Sequence, residues 1–170
     1  MLTIIIGGSG SGKSAFAERL AAGLSGTRIY LATMAAGDPE SLERIARHRQ
    51  QRRGLGFETL ERPLDLEGAE LPADANVLLE DLSNLLANEM FSPEGGGMDA
   101  VRRGLDALIR RCRNLTVVSN EIFSGGTEYE GETLAYIQNL ALLNRFVAER
   151  ADLAVEIVCG LPNVLKGELP

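Results

Sequence analysis

The chain has 170 residues, is 45% hydrophobic and carries a net charge of −7, which fits one globular domain over residues 1–170 with a substantial core. The acidic balance argues against general attraction to nucleic acid or to anionic membrane, and no apolar run approaches the ~20 residues of a membrane span. Two cysteines, Cys112 and Cys159, lack metal-ligand or redox spacing and are read as reduced thiols of a cytoplasmic protein.

Residues 2–6 are a continuous apolar run that reads as a buried strand, too short for a signal peptide. The run Gly7-Gly8-Ser9-Gly10-Ser11-Gly12-Lys13-Ser14 follows, and residues 13–24 read as a helix with Phe16, Leu20 and Leu24 on its inner face. A glycine, four residues and then Gly-Lys-Ser, between a strand and a helix, is the phosphate-binding loop pattern. Glycines let backbone N–H groups curl around phosphate oxygens, and the helix turns its positive dipole end toward the anion. Lys13 is placed to reach the β- and γ-phosphates and Ser14 to ligate Mg²⁺. The pattern predicts a nucleoside triphosphate without saying which reaction follows.

Residues 28–33 read as the second strand, and a helix capped by Asp38 or Ser41 is predicted to run to about Arg53, stopped by Gly54. Within it, positions 44–53 hold five arginines around His48, the only histidine. Arg44 and Arg52 lie one turn either side of it. Positive neighbours disfavour imidazolium, leaving a neutral, nucleophilic ring among guanidiniums that can hold phosphate oxygens. From residue types alone, a solvated basic helix face fits the same run.

Residues 57–60 read as a short strand ending near Glu61, and 76–80 as a buried strand ending in Glu80-Asp81. An acid at the end of a buried strand beside a phosphate loop is the usual place of a magnesium-organising carboxylate, although acids also end strands simply at the solvent edge. Helices are predicted over 82–90, 99–113 and 132–150, with Val101, Leu105, Leu108 and Ile109 inward on the second. Strands are predicted over 115–119, closed by Asn120-Glu121, and over 153–158, read as the last. Strands alternating with helices predict an α/β fold, a mostly parallel central sheet with helices on both faces and ligands at the carboxyl ends of its strands. With Lys13 and Lys166 as the two lysines, the Asn-Lys-x-Asp signature of regulatory GTPases is excluded.

Taken together, the pieces carry a resemblance. Gly7-Gly8-Ser9-Gly10-Ser11-Gly12-Lys13-Ser14, Tyr30-Leu31-Ala32-Thr33, Arg44-Ile45-Ala46-Arg47-His48, Thr59-Leu60-Glu61, Leu78-Leu79-Glu80, Ser119-Asn120-Glu121 and Ala151-Asp152 occur in order and at matching spacing. The whole chain resembles the bifunctional adenosylcobinamide kinase/adenosylcobinamide-phosphate guanylyltransferases of cobalamin biosynthesis. The resemblance implies a RecA-like P-loop NTPase fold, a homotrimer and two reactions. One phosphorylates the aminopropanol hydroxyl of adenosylcobinamide, with ATP or GTP as donor. The other moves GMP from GTP, through a histidine, to adenosylcobinamide phosphate. The histidine maps onto His48. Nucleotide contacts map onto Gly7, Gly8, Ser9, Gly10, Ser11, Gly12, Lys13 and Ser14, onto Ala32, Thr33 and Met34, onto Arg49, Gln50, Gln51 and Arg52, and onto Glu61 and Glu80. Mg²⁺ falls to Ser14 and Glu80. The sequence departs from the family where Arg47 replaces a first histidine and where positions 122–138 lack the usual arginines and aspartate. A relative with one of the two activities, or a nucleotide-binding module with neither, shares the loop.

Overall fold

The computed structural model describes residues 1–34, 46, 50, 52–126 and 128–170. Among these residues the strands are β1 (Leu2–Gly7), β2 (Arg28–Ala32), β3 (Phe57–Glu61), β4 (Asn76–Glu80), β5 (Asn114–Asn120), β6 (Leu153–Val158) and β7 (Leu161–Lys166). The helices are α1 (Lys13–Ala22), α2 (Leu82–Phe91), α3 (Gly97–Arg111) and α4 (Gly131–Arg150). The strands form one sheet in the order β3-β2-β4-β5-β1-β6-β7, parallel except for the antiparallel β6–β7 pair. No described helix is long and apolar enough to cross a membrane.

The central strands are covered on both faces, which is why they read as unbroken apolar runs rather than as alternations. Ile4, Leu31, Leu79 and Val117 point to one face and pack on Leu82, Leu85 and Leu86 of α2, Leu105 and Leu108 of α3, and Leu140, Leu143 and Val147 of α4. Ile5, Tyr30, Leu78, Val118 and Ile157 point to the other, under Ala17 and Ala21 of α1. Each fully buried leucine or isoleucine contributes about 1.5–3 kcal/mol by leaving water.

The structure changes three expectations. On α1 the buried positions are Lys13, Ala17, Glu18 and Ala21, while Phe16, Leu20 and Leu24 are half-buried at its margins. Small residues let this helix lie close on the sheet, with its larger apolar side chains splayed to either side. The strand over 153–158 is followed by another, β7. Cys159 and Gly160, with φ of +51° and +81°, make the two-residue turn that right-twisted strands favour. All six β7 residues are exposed, so no burial alternation marks them, and Pro162 lies on an edge strand, where a missing N–H is tolerated. A short 3₁₀ turn at Leu66–Gly68, which buries Leu66, is also new. The predicted helix over 38–53 lies mostly outside the described residues. Ala46 and Gln50 are helical, and Gly54, at φ +88°, follows bonds from Arg53 N–H to the Gln50 carbonyl and from Leu55 N–H to that of Arg52.

Candidate nucleotide site

Parallel pairing sets the site. Ala32 is in register with both Glu61 and Glu80, and Gly7 with both Asn120 and Ile157. The carboxyl ends of β3, β2, β4, β5 and β1 therefore present Glu61, Ala32, Glu80, Asn120 and Gly7 along one edge, where ligands of such sheets bind.

At that edge the chain leaves β1 through the loop 8–12 and enters α1 at Lys13. Gly12, the N-cap residue, has φ +91°, a conformation in which a side chain is strained. The turn between β6 and β7 props the loop from outside: the Gly160 N–H donates to the Ser11 carbonyl at 2.9 Å. Gly7 has no room for a side chain. A Cβ there would stand 2.8 Å from the Ile157 carbonyl oxygen and 2.5 Å from Ser11 Oγ, whereas one at Gly8 would meet nothing within 4 Å. Gly7→Ala is expected to cost about 1–3 kcal/mol as overpacking, lowering Tm by roughly 2–12 °C and weakening triphosphate binding. Gly8→Ala should leave Tm nearly unchanged, and equal thermal denaturation curves for the two would refute the close-packing argument.

Lys13 is buried and its Nζ donates to the Gly8 carbonyl at 3.3 Å, across the mouth of the loop. One residue on, Ser14 Oγ donates to Glu80 Oε1 at 2.5 Å. Burial pushes the Glu80 carboxyl up to about 8, with the Asp81 charge adding to the rise, while the Ser14 hydrogen bond and Lys13 pull it down. Its second oxygen, Oε2, is buried and has no hydrogen-bond partner among the described residues. An orphaned carboxylate oxygen beside a serine hydroxyl suits a hard cation. Among the described residues there is no cluster of three or more His, Cys, Asp or Glu. Two oxygen donors are the complement of a magnesium ion that takes its remaining ligands from phosphates and water.

Asp81 caps α2, its carboxylate accepting from Ser83 Oγ at 2.6 Å and from Asn84 N–H at 2.7 Å. Ser83 Oγ in turn accepts from Asn120 Nδ2. Behind them Ser119 Oγ donates to Asn144 Oδ1 at 2.6 Å, and the Tyr136 hydroxyl donates to the Ser83 carbonyl at 3.1 Å. Sequence reasoning missed Ser83, Tyr136 and Asn144; polar residues just past a buried strand end, or inside an otherwise apolar helix face, were the available signal. Glu121 Oε1 accepts from the N–H groups of Phe123 and Ser124, tying down the start of the following loop.

Of the other expected contacts, Met34 is half-buried and Glu61 exposed at the same edge, and Gln50 is exposed. Thr33 is wholly buried, its hydroxyl among main-chain groups of residues 80 and 81. Arg52 is buried too. Its guanidinium lies 3.4 Å over the Tyr30 ring and is attracted to Glu18, whose carboxyl burial pushes up and Arg52 pulls back. That charge is engaged inside the fold, against α1. His48, Arg49 and Gln51 lie outside the described residues.

A phosphate loop after β1, a facing acid on β4 and one strand, β5, between them define a P-loop NTPase of the RecA-like kind. One solved structure shows the same fold. A type III secretion system ATPase of pathogenic bacteria is 12% identical with a TM-score of 0.52, the match covering 96% of this chain and 56% of that one. The P4 protein of bacteriophage phi6 bound to ADP is 15% identical with a TM-score of 0.46, over 96% and 52%. This chain thus spans about half the length of either. Within that class, a family model described as cobinamide kinase / cobinamide phosphate guanyltransferase matches residues 3–165. The chain is also 36% identical, over 172 aligned residues and 99% of both chains, to the bifunctional adenosylcobalamin biosynthesis protein CobP of Pseudomonas aeruginosa. The chain belongs to the cobinamide kinase / cobinamide phosphate guanyltransferase family, and is a transferase of cobalamin biosynthesis with those activities.

Proposed function

We propose that residues 1–170 form one domain that works both reactions from the same carboxyl edge. In the first, the loop 7–14 wraps the phosphates of ATP or GTP, Lys13 neutralises charge on the β- and γ-phosphates, and the aminopropanol hydroxyl of adenosylcobinamide attacks the γ-phosphorus, its oxygen–phosphorus bond forming as the bond to the departing nucleoside diphosphate breaks and the hydroxyl proton passes to solvent. Ser14 and Glu80 would hold the Mg²⁺ that accompanies the triphosphate, and the ion would screen the phosphates' charge. In the second, an imidazole nitrogen of His48 attacks the α-phosphorus of GTP. The phosphorus–nitrogen bond forms as the bond to pyrophosphate breaks. A phosphate oxygen of adenosylcobinamide phosphate then takes the GMP and frees the histidine. The nucleotide contacts are those the family resemblance implies, with Arg49, Gln50 and Gln51 beside His48, and Ala32, Met34 and Glu61 at the strand ends. The same resemblance supports a cytoplasmic homotrimer, which sedimentation would measure as three 18.3 kDa chains. The exposed leucines and valine of β7, Leu161, Val164 and Leu165, suit such an association.

The observation that carries the reading is the contact of Ser14 Oγ with Glu80, which joins the phosphate loop to the acidic strand end. Intact-mass measurement after GTP and Mg²⁺ tests it. The protein should gain one GMP, and should lose it on adding adenosylcobinamide phosphate. No gain in mass would remove the two-step route.

Glu80→Gln keeps shape and removes the charge. It is expected to lower turnover at least ~10-fold, about 1.4 kcal/mol of transition-state stabilisation. Steady-state rates across a Mg²⁺ titration would check this. Parent-like rates at limiting Mg²⁺ would make Glu80 an ordinary strand-end acid.

A further inference from the structure

Thr33 is the first residue beyond β2, and its side chain is 0% exposed. A hydroxyl so placed cannot touch a nucleotide in the cleft. Its oxygen lies 3.0 Å from the Glu80 carbonyl and 2.8 Å from the Asp81 carbonyl, and accepts from the Asp81 N–H at 2.8 Å. One hydroxyl proton shared between two carbonyls, with a lone pair on the intervening amide, fixes the peptide that follows Glu80 from both sides. The main chain of Thr33 adds a bond of its own, N–H to the Glu80 carbonyl at 3.1 Å. Thr33 is itself held: Asn88 Nδ2 of α2 donates to its carbonyl at 2.8 Å and to the Pro63 carbonyl at 3.0 Å. Beyond residue 80 the chain turns from a strand into the capped helix α2, and the pairing of β4 with β5 ends at Leu79, so the bonds from Thr33 are what hold this peptide at the end of the β2–β4 ladder. The Glu80 carboxylate that meets Ser14 hangs from it, and such groups must hold their place within about 0.5 Å to work.

We propose that the Thr33 hydroxyl is a positioning group for Glu80, setting the carboxylate's place opposite Ser14 through the main chain of residues 80 and 81, and that Asn88 holds Thr33 in register for it. This rests on the reading of Glu80 as the acid that holds magnesium. Thr33→Val removes the hydroxyl while keeping shape, and Thr33→Ser keeps the hydroxyl while removing a methyl group.

The experiment measures kinase turnover against Mg²⁺ concentration for the parent, Thr33→Val, Thr33→Ser, Glu80→Gln and the Thr33→Val/Glu80→Gln double variant, with Tm for each. The expected result is a Mg²⁺ requirement raised at least ~5-fold in Thr33→Val and restored to within ~2-fold in Thr33→Ser. In the double variant the loss should be no greater than in Glu80→Gln alone, since a group that acts through Glu80 has nothing to add once the charge is gone. A parent-like Mg²⁺ curve for Thr33→Val with an impaired Glu80→Gln overturns the positioning role and leaves Glu80's role intact. Parent-like curves for both overturn both. Additive losses in the double variant, or a Thr33→Ser that fails as badly as Thr33→Val, also overturn the proposal. If Thr33→Val does not fold, Asn88→Ala takes its place in the same cycle. An unchanged Mg²⁺ requirement there, with Thr33→Ser also parent-like, counts against the proposal.

Discussion

His48→Ala is expected to yield a protein that binds GTP but takes up no GMP covalently and transfers GMP to adenosylcobinamide phosphate at least ~1000-fold more slowly, about 4 kcal/mol of barrier. A histidine adduct splits one displacement at phosphorus into two, and without the imidazole the direct path remains. Kinase turnover should stay within about twofold of the parent, because that reaction uses the phosphate loop and Glu80 and not the imidazole. The parent's adduct should be labile in acid and stable in base, as a phosphorus–nitrogen bond is and an ester on Ser14 would not be. Intact mass and radiolabel retention after acid and alkali measure these outcomes. An adduct of undiminished yield in His48→Ala would return the histidine to a basic helix face.

Lys13→Ala should abolish kinase turnover, by roughly 100–1000-fold, and weaken triphosphate binding. A unit charge ~4 Å from a phosphate oxygen at an effective dielectric near 20 interacts by about 4 kcal/mol, and most of that is lost with the side chain. Folding should suffer little. Without phosphate, the ammonium makes one long hydrogen bond among the described residues, 3.3 Å to the Gly8 carbonyl, beside its attraction to Glu80, so its removal breaks few contacts of the unliganded fold. Calorimetric titration with a non-hydrolysable triphosphate, alongside Tm, separates the two effects. Full turnover in Lys13→Ala would refute the phosphate-loop assignment, while a collapse in Tm would show that the side chain supports the fold.

Some of this protein was legible from its residues one element at a time. The loop from Gly7 to Ser14 declares itself because phosphate chemistry restricts residue type at fixed spacing, and the flanking strand and helix supply the context. The buried strands β1, β4 and β5 read as apolar runs because both their faces are covered. Glu80 could be suspected because an acid ends such a run. The arginine-rich stretch around His48 stood out against an acidic chain.

Other features arise only when distant segments meet. Sixty-six residues separate Ser14 from Glu80, and their 2.5 Å contact exists because β5 sets β4 two strand positions from β1. Arg52 reads as one more cation for phosphate, yet in the fold it stacks on Tyr30 near Glu18, because a guanidinium can lie flat on an aromatic ring and the buried carboxylate attracts its charge. Thr33 reads as an edge contact, yet its hydroxyl is closed into the turn after Glu80. The strand β7 was hidden because an edge strand exposed along its length carries no burial period, and its turn meets the phosphate loop through a bond spanning residues 11 and 160. Sequence alone determined which chemistry is available, since spacing and residue type act locally. The tertiary structure decided which groups face the ligand and which brace the groups that do, since that depends on strand order and on the direction each buried side chain is forced to take.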